Sequence, residues 1–434
     1  MFVQTRALLR RSRAARIVLC LATLAAIAFG AWRVGRHFWA QSQLQAARTA
    51  LDRGQVAEAR TKLLACLNVR PDDPEVHFLL ARAARRSGDG NEADERLREA
   101  KRLGAVPEQI QLERLLQDVQ RGYMGSAEKQ LLAYTEKDHP DTVDILDALA
   151  HGYLVTFRLP QARDTADRLL ELQPQNAPVW VLRGKAMYHM RGYAEAASNY
   201  ARAVELVPDD SDARLLLAEC LFENAQPEQA LMHFDVLSER DNRTRSADDI
   251  AVPLGRARCL LELGRLEEAG EALDRLYKQA PGNFHVLMLR GKLALRQRDA
   301  ASAESWLRKA VELEPGDRDS VYALALCLQR QRDPDKKTEA DRWFKHVKLI
   351  ESEQTRLTDA TAQILGSPHD PAPRLAAGEI FLKLGNEKEG LRWLYSALQQ
   401  DPGHRPTHQA LRDHFRSKGQ PERAAAHEKA LGKE

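Results

Sequence analysis

The chain has 434 residues, with 65 Lys and Arg against 62 Asp and Glu and a formal net charge of +3. The charge is uneven. The first 51 residues hold eight arginines and no acid, so residues 52–434 carry 57 basic against 62 acidic side chains, a net of −5. A mildly acidic body lacks the basic footprint that phosphate neutralisation demands, which argues against a nucleic-acid partner.

From the N-terminus, Ile17–Trp32 is sixteen residues without a charge, preceded by Arg6, Arg10, Arg11, Arg13 and Arg16. As a helix it spans about 24 Å, short of a hydrocarbon core of about 30 Å. Val34, Phe38 and Trp39 extend the apolar face, and Arg33 and Arg36 can snorkel to the interface. We expect a basic cytoplasmic tail at 1–16 and a transmembrane signal-anchor helix at 17–38. The arginine bias puts the N-terminus in the cytoplasm and the body on the far side of the inner (cytoplasmic) membrane. Two alternatives stay open. A signal peptide cleaved near Ala28-Phe29-Gly30 would leave a secreted or periplasmic body, and an inverted orientation would leave a cytoplasmic one.

Beyond the leader a small residue recurs: Ala59, Ala93, Ala127, Ala162, Ala196, Ala230, Ala269, Ala303, Ala340, Gly390, Ala424. Six of the ten steps are 34 residues, the mark of a stacked-repeat architecture. The clearest repeat, 177–210, reads as two amphipathic helices, with Trp180, Leu182, Gly184 and Tyr188 on the first and Ala196, Tyr200, Ala203 and Leu206 on the second. Gly192 is expected to make the turn, and Pro208 to end the second helix. Gly184 and Ala196 are small so that the paired helices approach to about 8–10 Å.

This pattern resembles the tetratricopeptide repeat (TPR), with Trp, Gly, Ala, aromatic, Ala and Pro at its fourth, eighth, twentieth, twenty-fourth, twenty-seventh and thirty-second positions. Residues 250–283, 284–317 and 371–404 repeat it, although Gly390 replaces the usual Ala. The resemblance covers roughly residues 40–434 and implies an all-α fold. The expected form is a right-handed superhelical α-solenoid of about eleven helix-turn-helix repeats after one N-terminal transmembrane helix.

Three departures interrupt the phase. Repeat three (108–142) has Leu115 and Tyr134 where small residues belong, and the run 238–249 lengthens the connection after repeat six. Repeat nine widens its turn at 332–338 and runs into an extra helical stretch, Glu351 to Leu365. The Pro-rich segment 366–373 then reads as a joint, dividing a solenoid at 39–365 from a C-terminal repeat pair at 374–434. A rigid bend within one solenoid is the alternative.

Cys220, Cys259 and Cys327 fall at the tenth position of their repeats and Cys66 at the twenty-seventh, where Ala is common, so they read as small core fillers; Cys20 lies in the leader. No CxxC occurs. His404, His408 and His414 cluster only loosely and read as surface histidines, and Asp72-Asp73 and Asp209-Asp210 as helix caps. No GxxxxGK[ST], GxSxG or HExxH is present. Neither catalytic residues, a metal nor a cofactor are therefore expected, and the chain is expected not to be an enzyme.

In the TPR family the first helix of each repeat lines the concave face. Carrying that over gives a groove of Val181, Lys185, Tyr188 and His189, then Leu215, Glu219, Phe222 and Glu223. Leu254, Arg258, Leu261 and Glu262 follow, then Met288, Lys292, Leu295 and Arg296, and Tyr322, Leu326 and Arg330 close the strip. An apolar strip with mixed charges suits a protein or peptide partner. The clamp by which some family members grip a chaperone's C-terminal carboxylate needs Lys at the fifth position, which here reads Val181, Leu215, Leu254, Met288, Tyr322 and Leu375. The expected function is a membrane-anchored scaffold in assembly of an extracytoplasmic or envelope complex. The alternative is a cytoplasm-facing adaptor that recruits an enzyme or protease to the membrane.

Overall fold

A computed structural model describes residues 30, 32–135, 139–241, 250–331 and 333–432, and all regular structure among them is helical. Residues 1–16 and most of the expected membrane segment, 17–38, lie outside the described residues, as does Cys20. No helix among the described residues is long and apolar enough to cross a membrane.

The helices come in pairs. Residues 32–52 form α1, followed by α2 (Val56–Leu67), α3 (Pro74–Arg86), α4 (Gly90–Arg102), α5 (Pro107–Gln120) and α6 (Gly125–Thr135). Then come α7 (Thr142–Val155), α8 (Leu159–Leu172), α9 (Ala177–His189), α10 (Tyr193–Leu206), α11 (Ser211–Glu223) and α12 (Pro227–Asp241). Repeats seven to nine supply α13 (Ala251–Glu262), α14 (Leu266–Gln279), α15 (Phe284–Arg296), α16 (Ala300–Leu313), α17 (Arg318–Arg330) and α18 (Pro334–Gly366). The last two repeats are α19 (Pro371–Lys383) with α20 (Glu387–Gln400) and α21 (Arg405–Ser417) with α22 (Pro421–Leu431). The chain forms two compact units, residues 1–118 and 119–434. The Pro-rich segment 366–373 thus lies inside the second unit.

Small residues set the helix spacing as expected. A Cβ on Gly184 would stand 2.6 Å from the Tyr200 ring, and one on Gly378 2.7 Å from Leu394. Ten of the eleven phase-marking residues are buried; the exception is Ala127, only half-buried. In α6 the next residue, Glu128, is buried instead, together with Leu131 and Thr135.

The turn between paired helices differs from expectation. Gly192 has an ordinary φ of −79° as the N-cap of α10, and the left-handed residue is Arg191, φ 62°. The same fifteenth position is left-handed in the ten repeats where it is described: Gly54, Gly88, Gly122, Phe157, Arg191, Ala225, Gly264, Arg298, Gly385 and Gly419. A helix that closes on a left-handed residue satisfies its last carbonyls, and the backbone imposes this whatever the side chain. The aspartates act as caps: Asp73 Oδ1 accepts from the Glu75 N–H at 3.0 Å and Asp210 Oδ1 from the Ala213 N–H at 2.9 Å.

Helix α18 decides the architecture of the second unit. It runs 33 residues where α16 has 14, an extension of about 28 Å at 1.5 Å per residue. The extra stretch is therefore continuous with the second helix of repeat nine. Its Ile364 packs with Ala377 and Trp393, and with them Phe157 joins one apolar cluster. The second unit thus closes on itself: Phe157, at the α7–α8 turn, meets the Trp393 ring at 4.8 Å. Arg374, wholly buried, donates from Nη2 to the Thr156 carbonyl at 3.2 Å and from Nε to Ser396 Oγ at 3.2 Å. Burial, and then the Arg158 charge, push the Arg374 guanidinium down to about 10, so it stays charged at neutral pH.

Candidate functional site: the groove on the first helices of repeats five to nine

The candidate groove belongs wholly to the second unit, on α9, α11, α13, α15 and α17. Each of these helices turns its small and aliphatic residues toward its own second helix and toward the next repeat. On α11 these are Ala213, Leu217, Ala218, Cys220 and Leu221, all buried. What remains on the other face is half-buried: Val181 and Tyr188, Leu215 and Phe222, Leu254, Met288 and Leu295. Tyr322 is 39% exposed. Side chains in this state are covered on one flank by their own repeat and open on the other.

Leu261 departs from the expectation. It is 1% exposed and belongs to the core around α13, so it offers nothing to a ligand. Its carbonyl is used as well, accepting from Arg296 Nη1. His189 stays exposed but has a neighbour from outside the groove. Its ring lies 5.4 Å from Phe157, which is itself covered by Arg392 at 5.4 Å, so the closing repeats border the groove at α9.

The groove charges are mostly paired across repeats. Arg258 Nη2 meets Glu223 Oε1 at 3.0 Å and lies 4.2 Å over the Phe222 ring. Arg296 meets Glu262 at 2.9 Å, Lys292 meets Asp319 at 2.9 Å, and Arg318 meets Glu351 at 2.8 Å while lying over Tyr322. No ion pair or hydrogen bond reaches Lys185 or Glu219 among the described residues. Burial raises the Glu219 carboxyl above the usual range, with Arg258 opposing and Glu223 adding to the rise. Burial and then Glu223, Tyr193 and Glu219 push the Tyr188 hydroxyl up to about 12.

The other chemistry-bearing residues are structural. Cys66, Cys220, Cys259 and Cys327 are buried and free. The Cys220 thiol donates to the Tyr193 carbonyl at 3.2 Å and Cys327 to that of Ala300 at 3.3 Å, the same position of the preceding repeat in both cases. Burial pushes Cys220 up to about 11 and Cys259 up to about 12, which leaves them thiols and poor nucleophiles. His408 is not a surface residue. It is 8% exposed, its Nε2 bonds the Pro402 carbonyl, and its Nδ1 lies 2.9 Å from His427 Nδ1. His414 pairs with Glu387 at 3.0 Å. No group of three or more His, Cys, Asp or Glu fit to hold a metal occurs among the described residues.

Sequence reasoning missed a set of inter-repeat clasps. Arg183 reaches Asp167 at 2.5 Å, Arg256 reaches Asp235 at 2.7 Å and Arg290 reaches Asp274 at 2.7 Å. Each joins the seventh position of one repeat to the twenty-fifth of the repeat before. Arg and Asp recurring in phase at those positions were the available signal.

Two family profiles match the chain: a protein kinase G tetratricopeptide repeat over residues 186–356 and a tetratricopeptide repeat over 44–107. Among curated proteins, anaphase-promoting complex subunit 7 of Mus musculus is 23% identical over 211 residues, covering 48% of this chain and 36% of that protein. The human protein O-mannosyl-transferase TMTC3 is 24% identical over 276 residues, covering 62% of this chain and 27% of that one. The chain thus spans well under half the length of either relative. Among solved structures, YrrB, described as a TPR protein with an unusual peptide-binding site, aligns with a TM-score of 0.37 and 20% identity over 44% of this chain and 96% of that one. The two profile matches support the tetratricopeptide repeat family for this chain.

Proposed function

We propose that this tetratricopeptide-repeat protein is a non-catalytic scaffold that holds a segment of a protein partner in the groove of its second unit. The single observation that carries the reading is the row of half-buried apolar side chains on successive first helices, Val181 to Leu295, continued by the exposed Tyr322, each backed by its own repeat and open on one flank. A row of this kind offers apolar area to a ligand without needing to rearrange, because the helices beneath it are already packed. Tyr188, Phe222 and Tyr322 supply the anchors, since aromatic side chains dominate interface energies.

We further propose that the scaffold is tethered to the inner membrane, with its repeats on the extracytoplasmic side and a role in assembling an envelope complex. Two observations support the tether. Ile17–Trp32 is free of charge, and the first described turns of α1 expose Trp32, Phe38 and Trp39 at 54%, 73% and 47% before Ala40 enters the core. Aromatic side chains flanked by arginines favour a membrane interface.

The test is affinity capture of the full chain from detergent-solubilised membranes, beside the Tyr188→Ala/Phe222→Ala/Tyr322→Ala variant. The variant is expected to keep its helical circular dichroism and lose the partner. A variant that retains the partner puts the binding surface elsewhere. Full chain released from membranes by carbonate would defeat the tether, and a reporter fused after Glu434 that is active only in the cytoplasm would defeat the orientation.

A further inference from the structure

We infer that the groove between α9 and α13 selects a basic side chain, seated on Glu219 beside the Tyr188 and Phe222 rings, from an extended partner segment that presents an acidic side chain about three residues away toward α9. The inference rests on the groove reading above and adds to it the chemistry of the occupant.

The charge pattern supplies the argument. Glu219 and Phe222 are three apart on α11 and so share one face. Tyr188 on α9 packs with Phe222 against the same core cluster, and the Glu223 and Glu219 charges both bear on its hydroxyl. Of the two acids, Glu223 is already taken by Arg258, which also covers Phe222 from the α13 side. Glu219 is left half-buried with no hydrogen bond or ion pair among the described residues. A carboxylate in that state has lost part of its hydration without a donor in return. An ammonium or guanidinium arriving with its own apolar stem restores the lost interaction, and the neighbouring ring adds a cation–π contribution.

The adjoining end of the groove has the opposite sign. Lys185 and His189 stand four apart on α9 and share one face, the His189 ring lies 5.4 Å from Phe157, and Arg392 of α20 lies over Phe157 while pairing with Glu389 at 2.9 Å, so Lys185 is the cation at this end that no ion pair takes up among the described residues. First helices of adjacent repeats lie about 8–10 Å apart, and an extended chain advances about 3.3 Å per residue. The two subsites therefore match side chains about three residues apart. An acidic segment or a second copy of this chain is the competing occupant.

The test pans a displayed library of random dodecapeptides against the full chain in detergent. The expected result is enrichment of Lys or Arg with Asp or Glu about three positions away. A representative enriched peptide should bind Glu219→Lys at least about tenfold more weakly by fluorescence anisotropy, and Lys185→Glu should lose the preference for the acid. Enriched peptides without a basic residue, or with affinity unchanged in Glu219→Lys, overturn the inference, as does a library that yields no binders. Peptides lost in the triple aromatic variant but unchanged in Glu219→Lys defeat only the charge selection. Peptides that survive the aromatic variant defeat the groove reading itself.

Discussion

Repeats three and five solve one packing problem with opposite materials. In repeat five α9 approaches α10 because Gly184 has no side chain, and the Tyr200 ring fills the space where a Cβ would stand. Around repeat three the inward positions are carboxylates. In the first unit Glu113, with no exposure, is held by Arg85 Nε at 2.5 Å and by Arg82 at 3.4 Å. In the second unit Glu128 accepts from Arg158 at 2.7 and 2.8 Å and from the Tyr153 hydroxyl at 2.9 Å. Burial alone would raise the Glu128 carboxyl, but the Arg158 hydrogen bonds and charge outweigh it and hold it below the usual range. An apolar seam tolerates change in proportion to volume. A buried ionic seam tolerates change only if both partners go together.

The largest expected effect follows from that difference. Arg158→Met leaves Glu128 buried opposite no cation and should cost about 3–5 kcal/mol. The joint replacement Arg158→Met, Glu128→Leu, Tyr153→Phe should recover most of it, because no orphaned charge remains. Urea unfolding followed by hydrogen exchange on α6–α8 measures both. Equal losses in the single and triple variants would mean that the pair is not what holds this seam.

The apolar seam predicts a smaller loss. Ala196→Trp forces a large ring into a fully buried contact and should cost about 1–3 kcal/mol or more, whereas Lys185→Ala, on an exposed groove position, should stay within about 0.5 kcal/mol. Matching melting temperatures for the two would show that the helix-to-helix phase is misassigned.

The same contrast explains what could be read from the chain alone. The apolar seams were legible because volume recurs: Ala196 returns one repeat on as Ala230, Gly184 recurs at the same repeat position as Gly291, and each is buried. The ionic seams were not, since Glu113 and Glu128 look like ordinary surface acids until their arginines are placed around them. The groove was legible in outline from the first-helix positions, but Leu261 shows the limit. A one-residue difference in helix rotation decides between a core leucine and a groove leucine, and periodicity alone does not resolve it. The return of α19–α20 onto Phe157 was not visible either, because it depends on the length and direction of α18, and no local pattern encodes a contact 218 residues away.

The closing histidine pair gives a pH-dependent sharpening of the polar side of the comparison. Burial, then His408 and Arg423, lower the His427 imidazole below its ordinary value. The fold therefore favours the neutral ring, while the unfolded chain takes up a proton as pH falls below about 6.5. The contribution is complete above that value and declines as pH drops through the window beneath it. Hydrogen exchange in α21 and α22, corrected for intrinsic rate, should be faster at low pH, and His427→Phe, beside Phe415 and Tyr395, should remove the dependence. Exchange independent of pH in the parent would refute it.

The smallest effect belongs to the turns, where repeats differ only in one residue. Ala225 sits at φ 57° and Gly264, in the equivalent place, at φ 74°. A side chain at positive φ strains the backbone by about 1–2 kcal/mol, while glycine costs about 0.5–1 kcal/mol in lost chain entropy. The difference favours glycine narrowly, so Ala225→Gly should stabilise repeat six by less than about 1 kcal/mol and Gly264→Ala should destabilise repeat seven by a similar amount. Nothing lies within 4 Å of a Cβ built on Gly264, so sterics with neighbours do not cloud that arm of the test. Opposite signs in the two variants, read from urea midpoints, are the expected outcome; the same sign in both would show that the turn conformation shifts to suit its residue, and that the fifteenth position is not a fixed left-handed cap.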